Sequence, residues 1–396
     1  MRRLARARAC YPSPVAESRG AASILGWLGV LVAGSLACDL RPEEGEAPWR
    51  WELPAGFPEP HVPPDNPMSA VKVELGRRLF YDERLSANET MACASCHDQA
   101  RAFTDGEVTP RGSTGHVLPR NAMSLTNVAY LSLFTWANPK LADLEEQALV
   151  PMLADFPLEL GVQLDPEAVL DRFRGDPELA DLFARAFPRD DDPVTVANVA
   201  RALATFERTL ISGDSPYDRY FYGGDESALS PAARRGLELF FSERAECYHC
   251  HAGLTFTTSF RTATSEPGPP DFQNTGLYNL DGAGAYPTGN GGLYEFTGDP
   301  ADMGKFRVPT LRNVALTAPY LHDGSAATLA EVVALYAAGG RVIDDGPNAG
   351  DGRTHPNKSP LVRATDLTAQ DQADLVAFLE SLTDETFVHD PRFGPP

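Results

Sequence analysis

The sequence predicts a mainly α-helical fold made of two related domains with long loops. Apolar residues recur at helical spacing in several segments. The chain also contains 33 Gly and 34 Pro, a composition that favours short helices joined by shaped loops. Finally, the motif Cys-x-x-Cys-His occurs twice, each time after a helical segment that contains Gly-x-x-Leu-Phe. This repetition indicates an internal duplication.

The N-terminal segment differs in composition from the rest of the chain. Five arginines precede or enter an apolar run at 21–37 that ends in small residues, which is typical of export signals. We therefore predict a signal peptide over residues 1–38. Cys38 follows the apolar run, and the alternatives are lipidation of this cysteine, simple cleavage, or a retained membrane anchor. Residues 39–68 are rich in Pro and acidic side chains, which predicts an extended lead-in.

Net charge narrows the class of partner. The formal net charge is −21, and removal of residues 1–37 takes away five Arg and one Glu, which leaves about −25. Such a surface repels the phosphates of nucleic acid, so we expect no nucleic-acid partner. It is compatible with a soluble periplasmic protein that meets a neutral or basic partner.

The helical periodicity gives the elements in order. An amphipathic helix is predicted at 69–86, followed by the first cysteine motif and then by helical patterns. Those patterns lie at 143–155, 166–187 and 193–212. The Gly-rich stretch 212–227 indicates a domain boundary, which gives domains over 69–215 and 216–386. In the second domain we predict a helix at 230–246, a long loop at 262–304 and a capped helix at 368–382.

Four of the six cysteines form the two motifs, "CASCH" at 93–97 and "CYHCH" at 247–251. A disulfide framework, a zinc site and a redox dithiol all leave the histidine after each second cysteine unexplained. Cys-x-x-Cys-His is the attachment signature of haem c. We therefore expect Cys93, Cys96, Cys247 and Cys250 to bind two haems covalently. His97 and His251 then reach the two irons.

The repeat predicts that the two irons differ on their other side. A shift of 185 residues places Tyr336 against Pro151. If both helices approach their haems alike, the second iron is offered a phenol oxygen and the first a proline, which cannot bind metal. The alternatives are that Tyr336 is an ordinary core tyrosine and that Pro151 is a helix break. An iron with an open position can bind peroxide, whereas a six-coordinate iron transfers electrons.

Several longer motifs add a family resemblance. They are "LGRRLFYDERLS", "CASCH", "FTDG", "PRNAMSLTNVAY", "LEEQALVP", "CYHCH" and "FRVPTLRNVALTAPYLHDG". Over about residues 70–385 the chain resembles the bacterial di-haem cytochrome c peroxidase superfamily. Two segments, "FTWANP" and "PMLADFPLELG", are most similar to the di-haem enzymes of methanobactin operons, and Tyr336 resembles the tyrosine ligand of the enzyme that matures methylamine dehydrogenase.

The resemblance implies two cytochrome c-like haem domains and roles for individual residues. Trp136 would relay charge between the haems, with His322 as its counterpart in the repeat. Glu159 would move protons while peroxide is cleaved, beside Gln147. The alternatives are a core tryptophan and a surface glutamate. The resemblance also implies a calcium ion bound by Asn121 and by the backbone carbonyls of Thr317 and Pro319. His116 matches only loosely a histidine that some peroxidases place over the iron.

The implied activity is that of an exported oxidoreductase. Hydrogen peroxide would form high-valent haem, which would oxidise a protein partner by long-range electron transfer. The partner would be a small periplasmic copper-binding protein, a cytochrome c or a cupredoxin. "WANPK" at 136–140 departs from the "WDGR" of the peroxidases proper, which puts a plain peroxidase role in doubt. Two alternatives stay open: a peroxide-detoxifying cytochrome c peroxidase and a pure electron-transfer cytochrome.

Overall fold

The computed structural model describes residues 48–265 and 267–396, and it is mainly helical, as the sequence predicts. The predicted signal over 1–38, with Cys38, lies outside the described residues. Within them the α-helices, in chain order, are α1 (Ala70–Phe80), α2 (Leu144–Leu153), α3 (Pro166–Arg174), α4 (Pro177–Ala186), α5 (Val196–Glu207), α6 (Pro216–Phe221), α7 (Pro231–Phe240), α8 (Tyr294–Thr297), α9 (Leu329–Ala337), α10 (Ala369–Glu380) and α11 (Glu385–His389). Across those two ranges, no helix combines the length and the apolar character needed to cross a membrane.

The strands are short, as expected. The first pair, β1 (Phe272–Gln273) and β2 (Phe306–Arg307), is antiparallel and closes the base of the long loop predicted at 262–304. A second antiparallel pair joins β3 (Val342–Ile343) and β4 (Gly350–Asp351). The position of β2 matters for function because Arg307 reaches from it into the cavity described below.

Two helix pairs form the centres of two hydrophobic cores, and each pair crosses at a glycine. A Cβ atom on Gly76 of α1 would lie 1.9 Å from the carbonyl oxygen of Ala202 in α5. A Cβ atom on Gly236 of α7 would lie 1.9 Å from the carbonyl oxygen of Asp374 in α10. Any larger residue would therefore push the two helix axes apart. The glycine of each Gly-x-x-Leu-Phe motif is what permits this close crossing.

Three boundaries differ from the sequence prediction. The helix expected over 69–86 ends at Phe80, and Asp82 then caps a separate 3₁₀ turn. The pattern over 166–187 is two helices, because Asp176 caps the amide groups that begin α4 and Pro177 occupies its first turn. The Gly-rich stretch predicted as a boundary contains α6, which starts with a capping box formed by Ser215 and Asp218.

Helix α6 is tied to the second core by a buried ion pair. Both nitrogen tips of the Arg312 guanidinium bind the Asp218 carboxylate, at 2.8 and 2.9 Å. The two side chains are 0% and 3% exposed, so water cannot replace either partner. Since an unpaired buried charge is costly, this pair fixes the path of the chain between the two cores.

Candidate functional site

Each Cys-x-x-Cys-His motif forms a short 3₁₀ helix. These helices span Cys93–Ser95 and Cys247–His249, and the amide of the histidine closes each turn on the carbonyl oxygen of the first cysteine. The distances are 3.0 Å for His97 and 2.9 Å for His251. This tight turn brings both thiols and the imidazole together, which is the arrangement that covalent attachment of haem requires.

Both histidines are oriented by a backbone carbonyl. His97 Nδ1 lies 2.8 Å from the carbonyl oxygen of Phe103, and His251 Nδ1 lies 3.0 Å from that of Phe256. Because a carbonyl oxygen only accepts hydrogen bonds, Nδ1 donates in each case and Nε2 keeps its lone pair. Phe103 and Phe256 both have positive φ, 62° and 52°, which turns their carbonyl groups toward the rings. Metal-binding histidines are commonly held by such a bond.

The alternatives to haem fit the cysteines less well. All four motif cysteines are free thiols. Within residues 48–265 and 267–396 no group of three or more His, Cys, Asp or Glu side chains is arranged to hold a metal ion. A structural zinc ion needs four such ligands, so neither motif forms a zinc site.

A cavity adjoins the first motif, and we call it the first cavity. Cys93, Cys96 and His97 line one part of it, and Gln147 and Pro151 line another. The last two belong to α2 and are four residues apart, so they share a face of that helix. The proline does not break α2, which continues to Leu153. The first cavity thus faces a histidine on one side and a residue without a metal-binding atom on another.

Glu159 lies in the wall of the first cavity. Burial raises the pKa of its carboxyl to about 7, and its side chain makes no hydrogen bond to another described residue. Its backbone carbonyl accepts a 2.8 Å bond from the amide of Ser113. The neighbouring Gly112 allows this approach, because a Cβ there would lie 2.0 Å from the carbonyl oxygen of Leu158. A carboxyl held in this way can both accept and release a proton near neutral pH.

Tyr336 lies near the second motif, on α9. Burial raises the pKa of its hydroxyl, and the sulfur atoms of Cys250 and Cys247 are close enough to raise it further. The hydroxyl makes no hydrogen bond to another described residue. A half-buried phenol that lacks a partner and faces this cysteine pair could serve as an oxygen ligand.

Trp136 also lines the first cavity, and its ring is fixed on two sides. Its indole N–H donates a 2.9 Å bond to the backbone carbonyl of Asn121. Its ring meets that of His322 edge to face, with the centroids 6.4 Å apart. The His322 ring is buried and stacks on Phe306 at 3.7 Å. The structure therefore brings together the two rings that the repeat pairs.

The oxygens expected to bind calcium accept no hydrogen bond from described residues. Asn121 uses its side-chain amide N–H to bind the carbonyl of Glu107 at 2.8 Å, which leaves Oδ1 available. The carbonyl oxygens of Thr317 and Pro319 are likewise unused within the described chain. Neutral amide and carbonyl oxygens are ligands that calcium accepts, so the donor set fits this ion.

His116 is not among the residues that line the first cavity. It lies in an exposed loop, where its ring meets that of Phe156 edge to face at 5.2 Å. This position agrees with an ordinary loop histidine in the conformation described.

Two residues of the first cavity were missed in the sequence. Arg307 is buried, has no acidic partner among the described residues, and donates to backbone carbonyls and to Met123 Sδ. Burial lowers the pKa of its guanidinium to about 10. Glu207 is buried too, with one oxygen unbonded and a pKa raised by burial to about 8. An unneutralised buried cation fits the carboxylate of a haem propionate. Neither residue shows a sequence signal beyond lying in a helix or motif.

Known proteins with similar sequences and structures cover most of this chain. The profile of the family described as di-haem cytochrome c peroxidase matches residues 70–227. Cytochrome-c peroxidase IdrP1 of Pseudomonas sp. (strain SCT) is 36% identical over 355 residues, covering 85% of this chain and 87% of the relative. Methylamine utilization protein MauG of Methylorubrum extorquens is 32% identical over 336 residues, covering 85% and 84%. The solved structure of a MauG-like protein associated with microbial copper homeostasis is 50% identical, with a TM-score of 0.86, covering 88% of this chain and 99% of that one.

Proposed function

Since the chain belongs to the di-haem cytochrome c peroxidase family, we propose that it is an exported enzyme that oxidises a protein partner with hydrogen peroxide. Relatives are named cytochrome c peroxidases and MauG, and the chain is an oxidoreductase of the di-haem peroxidase type. The observation that carries the proposal is an asymmetry. The first cavity offers Glu159 and Pro151 opposite its histidine, whereas the second motif faces the hydroxyl of Tyr336.

The family implies two haem c groups, and the residues present fit them. Cys93 and Cys96 would hold the first haem, with His97 on its iron. Cys247 and Cys250 would hold the second, with His251 and the Tyr336 hydroxyl on its two faces. When bound, a haem with an open position supplies the reaction with peroxide, and a haem with both positions filled supplies electron transfer.

Glu159 and Gln147 would manage the peroxide proton in the first cavity. Cleavage of the O–O bond requires that a proton leave one oxygen and arrive at the other. The raised pKa of Glu159 suits both tasks, since the carboxyl is about half ionised at neutral pH. The Gln147 amide carries both a donor and an acceptor, so it can orient the peroxide without changing its own charge.

Trp136 would carry charge between the two haem sites. Its indole lines the first cavity and contacts His322, which belongs to the second half. The bond to the Asn121 carbonyl fixes the orientation of the ring, and an ordered ring keeps the electron path short. We assign His322 a positioning role beside Trp136.

We further propose that the two haem domains, 69–215 and 216–386, arose by duplication. The equal glycine crossings of α1 with α5 and α7 with α10 support this. So do Asn127 and Asn313, which both have left-handed φ, 57° and 59°, and both start a 3₁₀ turn. Their amides bind the carbonyls of Leu210 and Leu382 at 2.9 and 3.0 Å.

Calcium and location complete the proposal. A calcium ion would be bound by Asn121, Thr317 and Pro319, where it would brace the segment that holds Trp136. The signal at 1–38 would direct the chain to the periplasm, with lipidation of Cys38 as an additional anchor. Because a relative of solved structure is described as associated with microbial copper homeostasis, we favour a small copper-binding protein as partner over a cytochrome c or a cupredoxin.

The test combines mass measurement with spectroscopy of the purified two-haem protein. Peroxide added with the candidate copper-binding protein should change the mass of that partner. Turnover with a cytochrome c or cupredoxin and no change in mass would instead favour a detoxifying peroxidase. Electron paramagnetic resonance (EPR) of the oxidised protein should show one high-spin and one low-spin haem. Absence of a high-spin haem, with no response to peroxide, would favour a pure electron-transfer cytochrome.

Tyr336→Phe tests the ligand. The variant should lose the low-spin signal of the second haem, because the phenol oxygen is removed while the ring is kept. Tyr217→Phe is the matched control, since Tyr217 packs in the second hydrophobic core and should leave that signal unchanged. An unaltered low-spin signal in Tyr336→Phe would contradict the assignment.

A further inference from the structure

A second buried tyrosine, Tyr278, is paired with a carboxylate in the core beside Trp136. The Tyr278 hydroxyl donates a 2.5 Å hydrogen bond to Asp323 Oδ2. Tyr278 is 6% exposed and the Asp323 side chain is 9% exposed, so bulk water does not compete for this bond. The Arg341 guanidinium lies over the phenol ring at 4.4 Å and 3.6 Å from the same carboxylate.

The charges around the pair keep the phenol neutral and the carboxyl ionised. Burial raises the pKa of Tyr278 to about 12, with the hydrogen bond from Asp323 as the next cause. Burial opposes ionisation of Asp323 as well, but its neighbours more than offset this effect and lower its pKa. They are His322, Ser325, Tyr278 and Arg341. Burial also lowers the pKa of His322, to about 3, so this ring is uncharged at neutral pH.

A chain of ring contacts leads from Trp136 to Tyr278. Trp136 meets His322 at 6.4 Å between centroids, and His322 stacks on Phe306 at 3.7 Å. Phe306 lies 6.5 Å from Tyr286, which lies 5.4 Å from Tyr278. Every step is a direct contact between ring systems, so an electron can move along the series in short steps. Asp323 directly follows His322 in the chain, which links the carboxylate to the same series.

Tyr286 provides the contrast that identifies Tyr278. Its hydroxyl donates at 3.1 Å to the side-chain amide oxygen of Asn274. An amide oxygen accepts a hydrogen bond but does not take up a proton near neutral pH, whereas a carboxylate does. Oxidation of a tyrosine releases the phenolic proton, so the tyrosine with a carboxylate acceptor is the one that can be oxidised inside the protein.

We propose that Tyr278 is a redox-active tyrosine that holds an oxidising equivalent passed from Trp136, with Asp323 as its proton acceptor. One electron moves from the Tyr278 phenol to the oxidised indole of Trp136, which returns to its neutral state. The phenol O–H bond breaks and its proton forms a new O–H bond on the Asp323 carboxylate. The products are a neutral tyrosyl radical and a carboxylic acid, and the reverse step returns the equivalent. The inference rests on the proposed function, in which hydrogen peroxide oxidises Trp136.

The test is rapid-freeze EPR of the two-haem protein mixed with hydrogen peroxide. Wild-type protein should give a tyrosyl radical, recognised by the narrowing of its signal when tyrosine deuterated on the ring is incorporated. Tyr278→Phe should lose this signal. Tyr286→Phe, which removes a neighbouring hydroxyl without a carboxylate partner, should keep it. Asp323→Asn retains a hydrogen-bond acceptor but not a base, so the radical should form more slowly, and more slowly still in deuterated water.

The outcomes separate this inference from the proposed function. If peroxide leaves the haem absorbance unchanged, the proposed function fails first. If the absorbance changes in all variants and the tyrosyl signal persists in Tyr278→Phe, this inference alone is overturned. Equal loss of the signal in Tyr286→Phe also overturns it, because the carboxylate partner would then be irrelevant. Thermal unfolding of each variant shows whether Asp323→Asn folds, and Tyr278→Phe carries the test where it does not.

Discussion

Replacement of Glu159 by glutamine tests whether this carboxyl takes the proton of peroxide. Burial raises its pKa to about 7, and only the ionised form can accept a proton. The value of kcat/KM for peroxide should therefore follow the ionised fraction and rise with pH. For a group with this pKa the fraction increases about tenfold between about pH 6 and pH 8, and then levels off.

The assay is stopped-flow absorbance of the oxidised two-haem protein mixed with peroxide over a series of pH values. Glu159→Gln has the same size but cannot titrate, so its rate should fall by about 10²–10⁴-fold and lose this inflection. Glu207→Gln is the control, because Glu207 lines the same cavity and burial raises its pKa to about 8. That variant should keep the inflection near pH 7.

Two results would refute the reasoning. One is a Glu159→Gln variant that reacts at the wild-type rate with the wild-type pH profile. The other is loss of the inflection in Glu207→Gln alone, which would move the titrating group to the opposite carboxyl. Loss of haem in either variant is read separately from its absorbance spectrum before peroxide is added.

Three further predictions concern stability and redox properties. Gly76→Ala should lower the free energy of unfolding by about 1–3 kcal/mol in chemical denaturation, because its Cβ would meet the Ala202 carbonyl at 1.9 Å; Gly268→Ala, which meets nothing within 4 Å, should not, and equal losses would contradict the crossing argument. Asp218→Asn should cost about 3–5 kcal/mol in the same assay, because it leaves the buried Arg312 charge unpaired; an unchanged midpoint would show that water reaches this pair. Arg307→Gln should lower the midpoint potential of the first haem in a redox titration, because it removes a buried positive charge that favours the reduced form; an equal shift of both haems would argue against a local effect.

Helix content and the two haem motifs could be predicted because their signals are local in the chain. The apolar stripe and the capping box of α10 depend on residues within one helix, and both are present in the structure. The turn from Cys93 to His97 likewise closes within five residues. Boundaries failed where one side chain decides the outcome, as Asp176 does by capping α4 inside a continuous apolar pattern.

The sequence by itself determined that the chain is mainly helical, that it carries two Cys-x-x-Cys-His turns, and that a glycine lies in the helix before each of them. Tertiary structure alone decided which distant groups meet. Tyr278 and Asp323 are 45 residues apart, and Arg307 is 172 residues from the Thr135 carbonyl that it binds. The pKa of Glu159 likewise depends on burial by segments far away in the chain. Local patterns encode turns and amphipathic faces, whereas burial, unpaired charge and ring contacts arise only when separate segments pack together.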